Sequence, residues 1–167
     1  MWRSYLTFAG MFYRWKQILH FFTSNSRHGT HSPFVYELAE KVIYAKQKNA
    51  EGNTPTKHTV KHRLIADIAA FYTLQLQHTI TEPSMDKACY IPIDKTSAEA
   101  VEELQHRFFM VFLDDIHRNT ANEAVWDAIC RSDAVLVSID MFHFGIVCYR
   151  PGQRKENFKL RFPFWRH

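Results

Sequence analysis

The chain has 167 residues, of which 46% are hydrophobic and 15% aromatic; that is enough apolar material for a single domain with a core, and it excludes a disordered chain. The net charge of +4, with 10 histidines uncounted, permits contact with nucleic acid or an anionic membrane and argues for neither. Cys89, Cys130 and Cys148 are far apart, include no C-x-x-C and form an odd set, so they read as reduced thiols in a cytoplasmic protein rather than as a disulfide framework.

Residues 2–22 bring Leu6, Met11, Trp15, Ile18, Leu19 and Phe22 close to one helical face, with Arg3, Arg14, Lys16 and Gln17 between them. The pattern predicts an amphipathic helix that packs on the domain or on a second subunit. Its mix of basic and aromatic residues also fits a membrane-surface helix. The stretch has no signal-peptide character, because Arg3, Arg14 and Lys16 interrupt it, and no run in the chain is long and apolar enough to span a bilayer.

Residues 23–33 are a loop by composition, ending in Ser32-Pro33, a cap followed by proline at the first helical position. The helix then carries Phe34, Val35, Leu38, Val42 and Ile43 on one side. His28 and His31 bracket Gly29 and read as turn histidines more readily than as metal ligands. Residues 46–62 are polar and lack periodicity, so they read as a flexible surface connection with solvated lysines. A helix is expected over 63–77, with Leu64, Ile65, Ile68, Phe71, Tyr72 and Leu76 on its apolar side.

Residues 88–93 are strand-like, and Pro92 marks them as an edge strand or an irregular end. Thr96 or Ser97 caps a helix over 98–106. Residues 108–113 make the strongest strand pattern, apolar on both faces. Asn119 or Thr120 caps the next helix, which carries Ala124, Val125, Ala128 and Ile129. Strands over 134–139 and 144–149 are joined by a turn short enough to make them antiparallel, and 158–162 alternates as a last edge strand. The ending KLRFPFWRH reads as that strand plus an exposed tail, with no clear nucleic-acid signal. The expected organisation is an N-terminal helical extension (1–45), a connection (46–62) and an α/β domain (63–167).

Two stretches carry a resemblance. RHGTHSPFVYELAEKVIY (27–44) and FFMVFLDDIHRNTANEAVWDAI followed by VSIDMFHFGIVCYRP and KENFKLRF (108–162) resemble a Bacteroidetes-type bacterial family of class I S-adenosylmethionine-dependent methyltransferases, related in fold to small-molecule O-methyltransferases. The resemblance implies a reduced Rossmann-like α/β sheet with a C-terminal antiparallel hairpin and an N-terminal helical extension. It implies S-adenosylmethionine as cofactor and a small hydroxylated molecule as acceptor. Asp114 and His117 would orient or deprotonate that acceptor, and Asp114 and Asp115 would hold a divalent metal if one were used. The residues alone read more simply, with Asp115 or Asn119 capping the next helix and Asp114 closing a turn.

The family holds its cofactor with a glycine-rich turn after the first strand, because only glycine lets backbone N–H groups approach the ligand there. This chain has no glycine between Gly52 and Gly145. Residues 79–82 would be a remnant of the first strand. Asp94 matches either the ribose-binding acid after the second strand or an acid of the fourth-strand motif. The expectation is therefore a methyltransferase-like protein with weak or lost cofactor binding. The alternative is a non-catalytic interaction module: the 14 phenylalanines leave apolar surface for a protein partner or a second copy.

Overall fold

The computed structural model describes residues 8–24, 32–45 and 57–164. The elements in order are α1 (Phe8–Thr23), α2 (Pro33–Leu38), which continues as a π-helical turn (Ala39–Ile43), α3 (Lys57–Phe71), β1 (Gln75–Gln77), β2 (Lys87–Pro92), a 3-10 turn (Ile93–Lys95), α4 (Ala98–Gln105), β3 (Met110–Asp114), α5 (Thr120–Arg131), β4 (Val137–Asp140), β5 (Phe144–Cys148) and β6 (Glu156–Lys159). The strands form one mixed sheet in the order β1-β2-β3-β5-β4-β6. The class is α/β, as expected.

The sheet is buried on both faces because its central strands β3 and β5 are apolar up to the terminal Asp114, and the period of two sorts their side chains. Met110 and Phe112 of β3, with Phe144, Ile146 and Cys148 of β5, join the core formed with α2 and α3. Val111, Leu113 and Val147 point the other way, into a core shared with Val101 and Leu104 of α4 and Trp126 and Ile129 of α5. The helices therefore cover the two faces as separate layers. Ser97 caps α4 by accepting from the Ala100 amide, and Asn119 caps α5 by accepting from the Asn122 amide at 2.9 Å.

β1, β2 and β3 run parallel, and β5 runs antiparallel between β3 and β4. As a result β3 and β4 point the same way and their carboxyl ends, Asp114 and Asp140, share one edge of the sheet. β6 closes the far side parallel to β4. It was expected at 158–162 and lies slightly earlier.

Several expectations are corrected. The connection expected over 46–62 already turns helical at Lys57, and its Lys61 is buried, not solvated. The helix expected to reach 77 stops at Phe71: the Leu74 amide donates to the Ala69 carbonyl at 2.8 Å and Thr73 takes a left-handed φ of 56°, which turns the chain out of the helix. The first strand is therefore Gln75–Gln77, not 79–82. β2 is an inner strand rather than an edge, and of the two readings of Pro92 the strand end is the one found. Pro92 is tolerated because it is the last residue of β2, opposite Asp114, where little of the ladder depends on its missing N–H.

β1 and β2 are parallel neighbours joined only by residues 78–86. A parallel crossover ordinarily takes a dozen or more residues and usually a helix. Here the return is a chain of turns and bends, tied down by Lys87 Nζ, which donates to the Glu82 carbonyl at 3.0 Å. No helix among the described residues is long and apolar enough to cross a membrane.

Candidate functional site at the carboxyl edge of the sheet

The carboxyl ends of β2, β3 and β4 bring together Asp94, Asp114, Asp115, His117 and Asp140. α1 lies against this edge and does so with its polar side. Tyr13 Oη lies 3.1 Å from His143 Nδ1, Gln17 Nε2 lies 3.2 Å from His143 Nε2, and Lys16 Nζ lies 2.5 Å from a Glu123 carboxylate oxygen. His20 Nε2 sits 2.9 Å from Oδ1 of Asp140. The C-terminal segment holds the end of the helix: Lys159 Nζ donates to Thr23 Oγ1 at 2.8 Å and Arg161 Nε donates to the Phe21 carbonyl at 3.1 Å. The expected packing on the domain is present, but through the polar edge. Met11, Phe12, Trp15, Ile18, Leu19 and Phe22 face outward, Trp15 being 67% and Phe22 74% exposed.

Two sub-sites can be distinguished along this edge. The first is an open cleft of about 520 Å³ lined by Asp94, Lys95, Asp114, Asp115, Arg118 and Asn122. Asp94, placed by the 3-10 turn that follows β2, thus shares a cleft with the two acids at the end of β3. Lys61 of α3 enters from the side, with Nζ 2.5 Å from Asp114 and 3.7 Å from Asp115. The cation between those carboxylates is therefore an ammonium supplied by the protein. Asp115 has a left-handed φ of 55°, its N–H donates to the His143 carbonyl, and its carboxylate takes Arg118 at 3.2 Å. The capping role falls to Asn119. Burial first, and then the hydrogen bond to Asp114, hold the Tyr90 hydroxyl well above the usual tyrosine range. The Tyr13 hydroxyl is pushed up to about 12 by burial and by the nearby Asp115 and Asp114.

The second sub-site centres on Asp140. His117 presents Nε2 to Oδ2 of Asp140 at 2.8 Å and Nδ1 to Glu123 at 3.2 Å. Burial opposes the charged imidazole, but Asp140 and Glu123 outweigh it and the His117 pKa is raised. For Asp140, burial alone would raise the carboxyl; the hydrogen bonds from His117 and His20 reverse this and hold it well below the usual carboxylate range. The Phe142 amide donates to Oδ1 at 2.8 Å. Phe142 itself has a left-handed φ of 66°, and its ring stacks on His117 with centroids 5.1 Å apart.

Asp114 and His117, expected to act together, thus belong to different clusters: Asp114 is paired with Lys61, and His117 is held between Asp140 and Glu123. Four residues that complete the edge, Lys61, His20, Glu123 and Asp140, were not singled out from the sequence. Only Asp140 carried a usable signal, since it ends a strand as Asp114 does. His28 and His31 lie outside the described residues. Cys89, Cys130 and Cys148 are free thiols, and burial pushes Cys89 up to about 11, which removes it from nucleophilic chemistry at neutral pH. Comparison with protein-family models, curated proteins and solved structures gives no match.

Proposed function

We propose that this chain is a methyltransferase-like α/β protein that has lost the ordinary grip on S-adenosylmethionine and acts through its binding surfaces rather than by methyl transfer. The connection 78–86 carries this reading. A doubly wound sheet runs 3-2-1-4-5, so the strands beside the fifth are the fourth and then the first. With Met110–Asp114 taken as the fifth strand, β2 stands in fourth place and β1 in first. The glycine turn, the helix and the second and third strands would all fall between β1 and β2. That space is spanned by residues 78–86, which contain no glycine.

On this alignment Asp94 follows a fourth-type strand, which favours that alternative over ribose binding. The partners of the expected acceptor-handling residues support the same reading. Asp114 is already neutralised by Lys61, and both ring nitrogens of His117 are engaged. A general base needs a lone pair within reach of the acceptor.

Isothermal titration with S-adenosylmethionine and S-adenosylhomocysteine tests this. Neither ligand is expected to give measurable heat at submillimolar concentration; micromolar binding of either one ends the proposal.

The outward face of α1 favours one binding mode. Met11, Trp15, Ile18 and Phe22 follow a 4-3-4 spacing, the seam spacing of paired helices, and Phe12 and Leu19 widen the stripe. Such a stripe is self-complementary, so the occupant proposed is α1 of a second copy.

A further inference from the structure

His20 from α1, His117 from the segment after β3, and Asp140 at the end of β4 bring two imidazole nitrogens and a carboxylate together, with one ligand atom from each lying within 4.8 Å of the others. We propose that these three residues bind a divalent transition-metal ion of the zinc class, and that the ion clips α1 onto the carboxyl edge of the sheet. The inference rests on this cluster alone and does not depend on the reading of the methyltransferase frame.

The donor set selects the metal. Two imidazoles and one carboxylate suit zinc, cobalt, nickel or ferrous iron, whereas calcium and magnesium prefer all-oxygen sites. Both histidines aim the same nitrogen, Nε2, at Asp140, at 2.9 Å for His20 and 2.8 Å for His117. Ligand bonds of about 2.0–2.1 Å at tetrahedral angles place neighbouring donors roughly 3.3 Å apart, so each imidazole must draw back slightly from Asp140, and the two rings, which face different oxygens of that carboxylate, must converge on one ion. Three protein ligands leave a fourth position for water.

The surroundings are those of an oriented ligand set. His117 turns its other nitrogen to Glu123 at 3.2 Å, and Lys16 holds Glu123 in turn. A carboxylate on the far nitrogen is the usual partner of a metal-bound histidine, because it fixes the ring and raises its donor strength. An imidazolium would satisfy both carboxylates by donating from each nitrogen; with an ion bound, the Nε2 proton leaves, Nδ1–H goes to Glu123 and the Nε2 lone pair goes to the metal. The Phe142 amide on Oδ1 and the Phe142 ring against His117 fix the remaining geometry.

The placement of α1 gives the clip a purpose. This helix turns its apolar stripe outward, so hydrophobic burial contributes little to holding it down. A metal bonded to His20 on one side and to Asp140 and His117 on the other supplies that attachment. Binding free energy of this kind becomes folding free energy for the part it tethers.

The test is a cobalt and zinc titration of the full chain after dialysis against a chelator. Expected are one equivalent of cobalt with a visible d–d spectrum, its displacement by zinc, and slower amide exchange in α1 on zinc addition. His20→Gln, which removes a ligand, should lower zinc affinity by at least the roughly 100-fold upper end of outer-shell losses, and Glu123→Gln about tenfold. His106→Gln, at an exposed site outside the cluster, should leave it unchanged. His20 lies on a peripheral helix, so its variant keeps the α/β core, which far-UV circular dichroism would verify. Absence of zinc binding at submillimolar metal overturns the proposal, and so does binding that survives His20→Gln undiminished.

Discussion

Lys61 and Asp114 meet across two layers of the fold: the ammonium of a buried α3 lysine stands 2.5 Å from the carboxylate that ends β3. Removing one partner of such a pair leaves the other charge in a poorly hydrated place, which costs more than the pair contributes. Lys61→Met is therefore expected to destabilise the protein by about 2–4 kcal/mol in urea unfolding. Adding Asp114→Asn should recover part of that loss. Equal stability of Lys61→Met and the parent would show that the pair is not buried as described.

Gly145 and Trp126 make a second tight contact. A Cβ on Gly145 would lie 2.4 Å from Cζ3 of the indole, so the strand accepts no side chain unless the ring moves. Trp126 is itself buried in the core beneath α4 and α5. Gly145→Ala should cost about 2–3 kcal/mol, since an extra methyl in a filled core forces its neighbours apart. The same change in a Trp126→Leu background should cost clearly less, a coupling that a double-mutant cycle would measure.

These two contacts mark where sequence patterns stop being informative. The runs over 108–113 and 144–149 announced buried strands because both faces are apolar, and the short turn before Phe144 announced the antiparallel pair. β1 gave no such signal: Gln75-Leu76-Gln77 is a polar edge, and an edge does not need an apolar run. Lys61 looks like any surface lysine, since only the arrival of Asp114 from a distant strand makes its burial tolerable. His20 lies on the polar side of α1, where nothing in the spacing marks it. The gap it fills exists only once β3, β5 and β4 are side by side.

Phe142 occupies a left-handed backbone position while its ring contacts His117, Tyr13 and His20. Strain and packing can be separated here. Phe142→Gly loses the ring but relieves the backbone; Phe142→Ala loses the ring and keeps the strain. The glycine variant should be the more stable of the two by about 1 kcal/mol, opposite to the order in a helix or strand interior. Both should speed amide exchange in α1 while leaving β3 and β5 protected. If the alanine variant proves the more stable one, the backbone at this turn is not held left-handed.

The outward stripe of α1 makes the most direct statement about behaviour in solution. Six large apolar side chains on one helix face exceed what isolated surface residues explain, and their seam spacing suits another helix. Light scattering coupled to size exclusion should give the mass of a dimer. Trp15 stands at the centre of the stripe, and Trp15→Glu puts a charge into the paired surface without touching any contact that α1 makes with the sheet edge. That variant is expected to elute as a monomer with unchanged thermal unfolding of the α/β core. A parent protein that remains monomeric at high micromolar concentration would remove self-association as the role of this face. Sedimentation with anionic vesicles, lost in Trp15→Glu, would then assign the stripe to a membrane surface.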